Sequence, residues 1–367
     1  MSSLYIHIPF CERKCLYCSF VVAVGQQQRV DDYLGCLERE AERYQCCPVE
    51  TIYIGGGTPT FLDPRQLERL FRLIKTRFSY SPSSEITVEA NPEGITFEKA
   101  ETLRGLGVNR VSLGVQSFHD RYLKFLGRAH DSLKAMTAFN VLRQAGFKNI
   151  NVDLMYSFPG QTVSEIHEDL EVLVGLGSEH VSLYTLTIEE NSRFFAQKVP
   201  EQEGLAQGDQ YQSVVSFLEE SGWRQYEVSN FAKLGFESEH NRNYWRGGNY
   251  VGLGVGAHSH RDGRRSWNIS RLQDFMTRVK DGRGAEEGAE ELTPAQRLRE
   301  ALVFGLRTSE GVDLQSLEER FCCRLEEEEV EKISEFIKNG LLIQDERLLQ
   351  ATKEGRLALD AISSYLI

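Results

Sequence analysis

From Leu4 to Phe231 the chain alternates between β-like and helical patterns at a spacing of about 30 residues, and this limits the fold more than any other feature. Leu4 to Ile8, TIYIGGG (51–57), EITVEA (85–90), RVSLGV (110–115), NINVDLMYSF (149–158), HVSLYTLTI (180–188) and WRQYEVSNF (223–231) read as strands. Helices fit between them: Asp31 to Arg43, Pro64 to Phe78, Phe97 to Leu106, stretches up to Ala145, Val163 to Leu176, and Gly204 to Ser221. Asp63 stands before Pro64 as an N-cap. This rhythm calls for a parallel sheet with helical crossovers, either open or curled into a barrel. In both, ligands collect at the carboxyl ends of strands. Chemistry-bearing residues recur there: Cys11, Cys15 and Cys18 after the first strand, GGGTPT (55–60) after the second, Glu89 closing the third and Gln116 after the fourth. Asp153 lies within the next strand. The recurrence predicts one shared mouth.

The thiols stand at C-x3-C-x2-C spacing and can converge on one inorganic centre. A [4Fe-4S] cluster normally takes four cysteine thiolates, one per iron, so three leave one iron open. The amino and carboxylate groups of S-adenosylmethionine can fill that position. Zinc held by the three thiols and His7 is a competing reading. Against it, Ile6, His7 and Ile8 alternate as in a strand, and Pro9-Phe10 turns the chain away before Cys11. A disulfide suits the short spacings poorly, and no signal peptide precedes them.

Gly56, Gly57 and Thr58 let backbone approach a ligand closely, or simply form a tight turn. Glu89 can meet a cation or end its strand in solvent. Arg128 can grip a carboxylate in a fork. Asp153, among Val152, Leu154 and Met155, needs a partner if buried. In HNRNYW (240–245), His240 is a natural ligand for heme iron. Tyr244 and Trp245 can cover a porphyrin face. An interdomain aromatic cluster around a satisfied histidine accounts for the same residues. GLGVGAHSH (252–260) is not a dinucleotide fingerprint and reads as a packed loop near the mouth, with His258 and His260 as secondary candidates for iron.

YIHIPFC ahead of the triad, Tyr17 before its third cysteine, and HNRNYW resemble the radical S-adenosylmethionine superfamily, and within it the HemN/HemW family. That family comprises oxygen-independent coproporphyrinogen III oxidases and heme chaperones. The resemblance implies an α/β fold built on a partial (β/α)6 TIM-like barrel, open on one side. It implies a [4Fe-4S] cluster on Cys11, Cys15 and Cys18, which reduces S-adenosylmethionine to a 5′-deoxyadenosyl radical. Tyr5, Tyr17, Gly56, Gly57, Thr58, Glu89, Gln116, Arg128 and Asp153 match family positions at that cofactor. The oxidases carry a further cysteine two residues after the third, where this chain has Phe20. The chaperone branch therefore fits better, with heme as a further bound group and acceptor hemoproteins as partners, membrane-bound respiratory ones among them. Radical decarboxylation of coproporphyrinogen is the alternative activity.

From Glu239 to about Trp267 the sequence turns rich in Gly, Asn and aromatics and reads as irregular; Gly282 to Glu291 reads as a linker. Thr293 to Ile367 begins afresh, with helices around a short hairpin, and resembles the small winged-helix-like α+β domain that ends the HemN/HemW family. The domains expected are 1–235 (barrel), 236–291 (aromatic, glycine-rich region and linker) and 292–367. A net charge of −12 and an acidic run at Glu326 to Glu329 argue against nucleic acid as a partner. The longest apolar runs fall short of the roughly 20 residues of a membrane span. With the eight cysteines read as three ligands and five free thiols, these features predict a cytoplasmic protein. Peripheral membrane association and a homodimer are both compatible with the sequence.

Overall fold

The structure is a computed structural model and describes residues 2–202 and 204–366. Six strands, β1 (Ser2–Ile8), β2 (Thr51–Gly56), β3 (Glu85–Ala90), β4 (Arg110–Gln116), β5 (Ile150–Tyr156) and β6 (His180–Thr185), run parallel in chain order across one sheet. Each returns through helix: Val30–Glu40, Pro64–Arg77, Phe97–Leu106, Ser132–Gln144 and Val163–Leu176. Side chains alternate across a strand. Leu4, Ile6 and Ile8 of β1 accordingly join the outer core with Tyr33, Leu37 and Phe71 of the helices, while Tyr5 and His7 border the inner space. Asp63 caps its helix as expected, accepting from Gln66 N at 2.9 Å while the Gln66 side chain accepts from Asp63 N at 3.1 Å.

The sheet continues past both ends of this barrel, and the sequence reading needs correcting at each. The run 223–231 is not one strand. Glu227 accepts from the Ser229 amide at 3.2 Å and from Asn230, turning the chain into a hairpin of Arg224–Glu227 and Asn230–Ala232 beside β6. Beyond β1, the stretch read as irregular holds helix Glu239–Trp245, a parallel strand β7 (Asn249–Leu253) and the hairpin His258–Arg261/Arg264–Asn268. Its glycines belong to close strand packing: a Cβ on Gly252 would lie 2.0 Å from the His258 carbonyl oxygen. The supposed linker ends in an edge strand, Glu286–Glu291, tied down by ion pairs Arg264–Glu286 (2.6 Å) and Arg265–Glu290 (3.1 Å). Among the described residues the two ends of the sheet are not paired with each other, so the barrel is open on one side.

Helix Glu239–Trp245 closes the floor, at the amino ends of the strands. Glu85, at the start of β3, accepts from Ser238 Oγ (3.2 Å) and from the amides of Glu239 and His240 (both 3.1 Å). The C-terminal domain packs helices Pro294–Leu306, Leu314–Phe321 and Glu327–Lys338 on the hairpin Leu342–Asp345/Leu348–Ala351, around its own core of Leu302, Leu306, Ile333 and Leu349. Phe304 of this domain meets Trp245 edge to face at 6.3 Å.

A buried carboxylate ties the first helix to the far side of the barrel. Glu40 accepts from Gly254 N at 2.8 Å and Asn268 Nδ2 at 2.6 Å. Burial pushes its pKa up to about 7, against the lowering effect of those bonds and of Arg43. An acid whose folded pKa is raised binds more protons folded than unfolded. Its stabilisation is therefore fully present below about pH 4.5 and is lost as pH climbs through 7. Glu89 is pushed up to about 7 likewise, chiefly by burial. We expect urea unfolding to show stability falling by roughly 3 kcal/mol per group between pH 5 and pH 8. Glu40→Gln should remove its share of that slope, with Glu89 and the other buried acids supplying the rest; an unchanged slope would refute the assignment.

Candidate cofactor and ligand site

The cysteine loop is held from both sides. Leu16 N donates to Leu126 O and Phe194 N to Leu16 O, each at 3.0 Å, and Leu16 and Tyr17 pack against Tyr122, Leu126, Met155 and Phe158. On the other flank Gly57 N donates to Ile8 O (2.8 Å) and Thr58 N to Phe10 O (2.9 Å). The three glycines each lie against a different neighbour: a Cβ would come within 2.8 Å of Glu89 at Gly55, 2.4 Å of the His7 ring at Gly56, and 2.7 Å of the Pro9 carbonyl at Gly57. Gly56 also has φ +112°, a conformation that side chains disfavour.

Inside this frame lies a cavity of about 390 Å³ at the carboxyl ends of the strands. Cys11, Cys15, Cys18, Tyr17, Gly56, Gly57, Thr58, Glu89, Gln116, Arg128 and Asp153 all line it. Cys11 Sγ and Thr58 Oγ1 are 3.4 Å apart. Burial pushes the Cys11 thiol up to about 11 and also raises Cys18. Arg128 Nη1 donates to Cys15 Sγ at 3.4 Å, and Nη2 to Asn91 Oδ1 (2.7 Å) and Gly114 O (2.6 Å). Burial opposes the charge of Arg128, but Tyr17, Cys15 and Glu93 outweigh it and hold its pKa above the ordinary range. Gln116 adopts φ +75° at a bulge in β4, a left-handed conformation uncommon outside glycine.

Two carboxylates share the wall. Glu89 accepts from Tyr53 Oη (2.8 Å) and Gly56 N (2.9 Å). Asp153 accepts from Asn151 Nδ2 (2.7 Å) and Ser112 Oγ (3.1 Å), the partners its setting required. Burial raises the pKa of both. Asn91, Arg110, Ser112, Asn151 and Tyr184 also line the cavity and were not singled out from sequence. Asn91 follows Glu89 in E-A-N-P, and Arg110 and Ser112 share a face of β4; these were the available signals.

A second cleft, about 550 Å³, adjoins the first and shares Ser19, Phe20, Gly56 and Glu89 with it. Its walls are Tyr5, His7, Tyr244, Trp245, Tyr250, His258 and, from the C-terminal domain, Phe304. Tyr5, expected in the cofactor cavity, lines this cleft, its hydroxyl 3.0 Å from His7 Nδ1. His240 does not line the cleft. It is 1% exposed, with Nδ1 2.8 Å from Thr51 Oγ1 and Nε2 3.0 Å from Tyr244 Oη. Both ring nitrogens being engaged, His240 offers iron no lone pair here, contrary to the expectation from HNRNYW. His7 is also committed at both nitrogens, to Tyr5 Oη and Val21 O. Among the described residues no three His, Cys, Asp or Glu side chains form a site for a single metal ion. The zinc reading with His7 loses its fourth ligand. A cluster fits the same thiols better, because each binds a different iron rather than one shared ion.

Cysteine loop, glycine turn and open parallel barrel together define a radical S-adenosylmethionine protein. The Radical SAM superfamily model matches residues 5–173, and the HemN C-terminal domain model matches residues 292–358. The chain is 37% identical to the heme chaperone HemW of Bacillus subtilis over 369 residues, covering 97% of each chain. It is 36% identical to the heme chaperone HemW of Lactococcus lactis over 360 residues, covering 96% of this chain and 94% of that one. Coproporphyrinogen III oxidase (HemN) from Escherichia coli, described as a radical SAM enzyme, superposes with a TM-score of 0.89 at 26% identity, covering 100% of this chain and 89% of that one. The chain belongs to the HemN/HemW family of the radical SAM superfamily.

Proposed function

We propose that this protein is a heme chaperone of the HemW kind. Cys11, Cys15 and Cys18 hold a [4Fe-4S] cluster, and Gly56, Gly57, Thr58, Glu89, Gln116, Arg128 and Asp153 hold S-adenosylmethionine. When bound, the cluster supplies a single low-potential electron to the sulfonium. The chain's own part is to bind and orient. Arg128 stays charged beside Cys15, and Glu89, whose pKa burial raises to about 7, gives up the proton it shares with solvent near neutral pH as a cation is placed against it.

The aromatic cleft carries the heme part of the reading. Tyr244, Trp245, Tyr250 and Phe304 surround a space of about 550 Å³ suited to a flat apolar ring. His258 borders it, is exposed, and makes no side-chain hydrogen bond among the described residues. Burial, with help from Arg265, lowers its pKa, which keeps a ring nitrogen free for iron. His258 is therefore the proposed axial ligand. Phe20, 66% exposed at the boundary of both cavities, stands where the oxidases have a further cysteine. Acceptor hemoproteins are the proposed partners. Among the described residues no helix is long and apolar enough to cross a membrane.

Anaerobically reconstituted protein is expected to take up one heme with a Soret band and to leave coproporphyrinogen unchanged in the presence of S-adenosylmethionine and reductant. Conversion to protoporphyrinogen would refute the chaperone reading and make the protein an oxidase.

A further inference from the structure

Arg110, at the start of β4, is 2% exposed, yet among the described residues its side chain makes no ion pair and no hydrogen bond. Its Nε is buried without a partner, and its side chain lines the cofactor cavity at the end opposite the cysteines. Arg110, Ser112, Gly114 and Gln116 lie on one face of β4, so Arg110 sits about 20 Å along the strand from Gln116 at the rim. Asn241, from the helix that closes the floor, lines the same end.

The carboxylates and rings around it are engaged elsewhere; Asp153 feels the guanidinium charge without contacting it, and the Thr87 hydroxyl beside Arg110 in the sheet is itself buried without a partner. Asp153 is held by Asn151 and Ser112, and Glu85 by Ser238 and the amides of the floor helix. His180 is bound at Nδ1 to Asn151 (2.7 Å) and at Nε2 to Tyr226 (2.8 Å), and His240 to Thr51 and Tyr244. The guanidinium charge bears on both histidines, which burial already keeps neutral. A buried cation without a partner is costly, and proteins do not hold one without an anion or water to meet it.

We infer that Arg110 makes the barrel floor a binding site for a small carboxylate, apart from the cysteine end of the cavity. A guanidinium presents paired N–H donors that match a carboxylate. The carboxylate of S-adenosylmethionine is engaged at the open iron of the cysteine end, so the occupant inferred at the floor is a free small acid.

The inference does not depend on heme, and its first test needs neither heme nor cluster. Full-length protein in chloride-free zwitterionic buffer is titrated with sodium formate, acetate and propionate, and thermal unfolding is followed. A saturable rise in Tm is expected for wild type. It should be absent in Arg110→Gln and weakened in Arg110→Lys. Without anion, Arg110→Gln should melt no lower than wild type, because it removes an unpartnered charge. Three results overturn the inference: no saturable rise, the same rise in Arg110→Gln, or a variant that melts lower in the anion-free buffer. A bromide-soaked crystal should show anomalous density beside Arg110; water alone there would also overturn it. In cluster-loaded protein, formate and S-adenosylmethionine should bind additively; competition between them would overturn the placing of this site apart from the cysteine end.

Discussion

Serine in place of any one of Cys11, Cys15 and Cys18 is expected to give a folded protein that retains no iron or sulfide after anaerobic reconstitution and no longer cleaves S-adenosylmethionine. The folding half of this expectation follows from what the thiols contribute. Cys15 and Cys18 are half-buried in a loop fixed by backbone bonds at Leu16 and by packing of Tyr17. Cys11 has a single polar contact, to Thr58. Cys11 is buried, but serine there keeps a group of the same shape beside Thr58, and single-atom changes of this kind cost about 1 kcal/mol. Cluster loss follows from ligand count: with one iron already lacking a protein thiolate, a second vacancy leaves the cluster half held. Because burial holds the Cys11 thiol near 11, it is protonated in the metal-free protein, and cluster assembly must expel that proton. Reconstitution should therefore speed up as pH rises. Cys36 supplies the contrast. It lies in the main core, its thiol 3.8 Å from Met276 O, so Cys36→Ser should lower stability and leave iron content unchanged. Iron retained by any single triad variant, or one zinc bound per chain, would overturn the assignment.

What could be read from the sequence follows physical lines. The barrel strands are legible because each is an apolar run of β-branched residues bounded by turn chemistry, and β3 and the helix Phe97–Leu106 lie where their patterns place them. The cofactor cavity was legible because its residues come at strand ends, which a parallel barrel brings together whatever the details of packing. The region after Glu239 was not. Its strands carry glycine where backbone crowds backbone at Gly252, and glutamate where the edge is stabilised by Arg264 and Arg265, so neither has β-like composition. Arg110 escaped notice for a different reason. A charged residue opening a strand ordinarily reaches solvent, and only the floor helix, which the sequence does not show to pack there, closes it in.

His240→Ala is expected to destabilise the protein by roughly 3–5 kcal/mol while heme retained per folded molecule stays at the wild-type level. The ring is buried against Tyr53, with centroids 5.0 Å apart, and its two nitrogens satisfy the hydroxyls of Thr51 and Tyr244. Removing it leaves a cavity and strands the Tyr244 hydroxyl, whereas Thr51 keeps its bond to Ser3, and it loosens the helix that closes the barrel floor. Burial, with a smaller contribution from Arg110, lowers the pKa of His240 to about 3. A histidine with a depressed folded pKa stabilises above its unfolded value, near 6.5, and that stabilisation is lost as pH falls toward 3. The difference between wild type and His240→Ala should therefore narrow in acid, a trend that an iron ligand at the surface would not produce. His258→Ala should behave in the opposite way. Its ring is exposed and makes no hydrogen bond among the described residues, so the urea midpoint should hardly move. The Soret band should shift or disappear, because an axial nitrogen is gone. Measuring unfolding and heme retention on both variants separates a histidine that builds the barrel from one that faces the ligand. Loss of heme in His240→Ala with unchanged stability would return the ligand role to His240 and refute the assignment to His258.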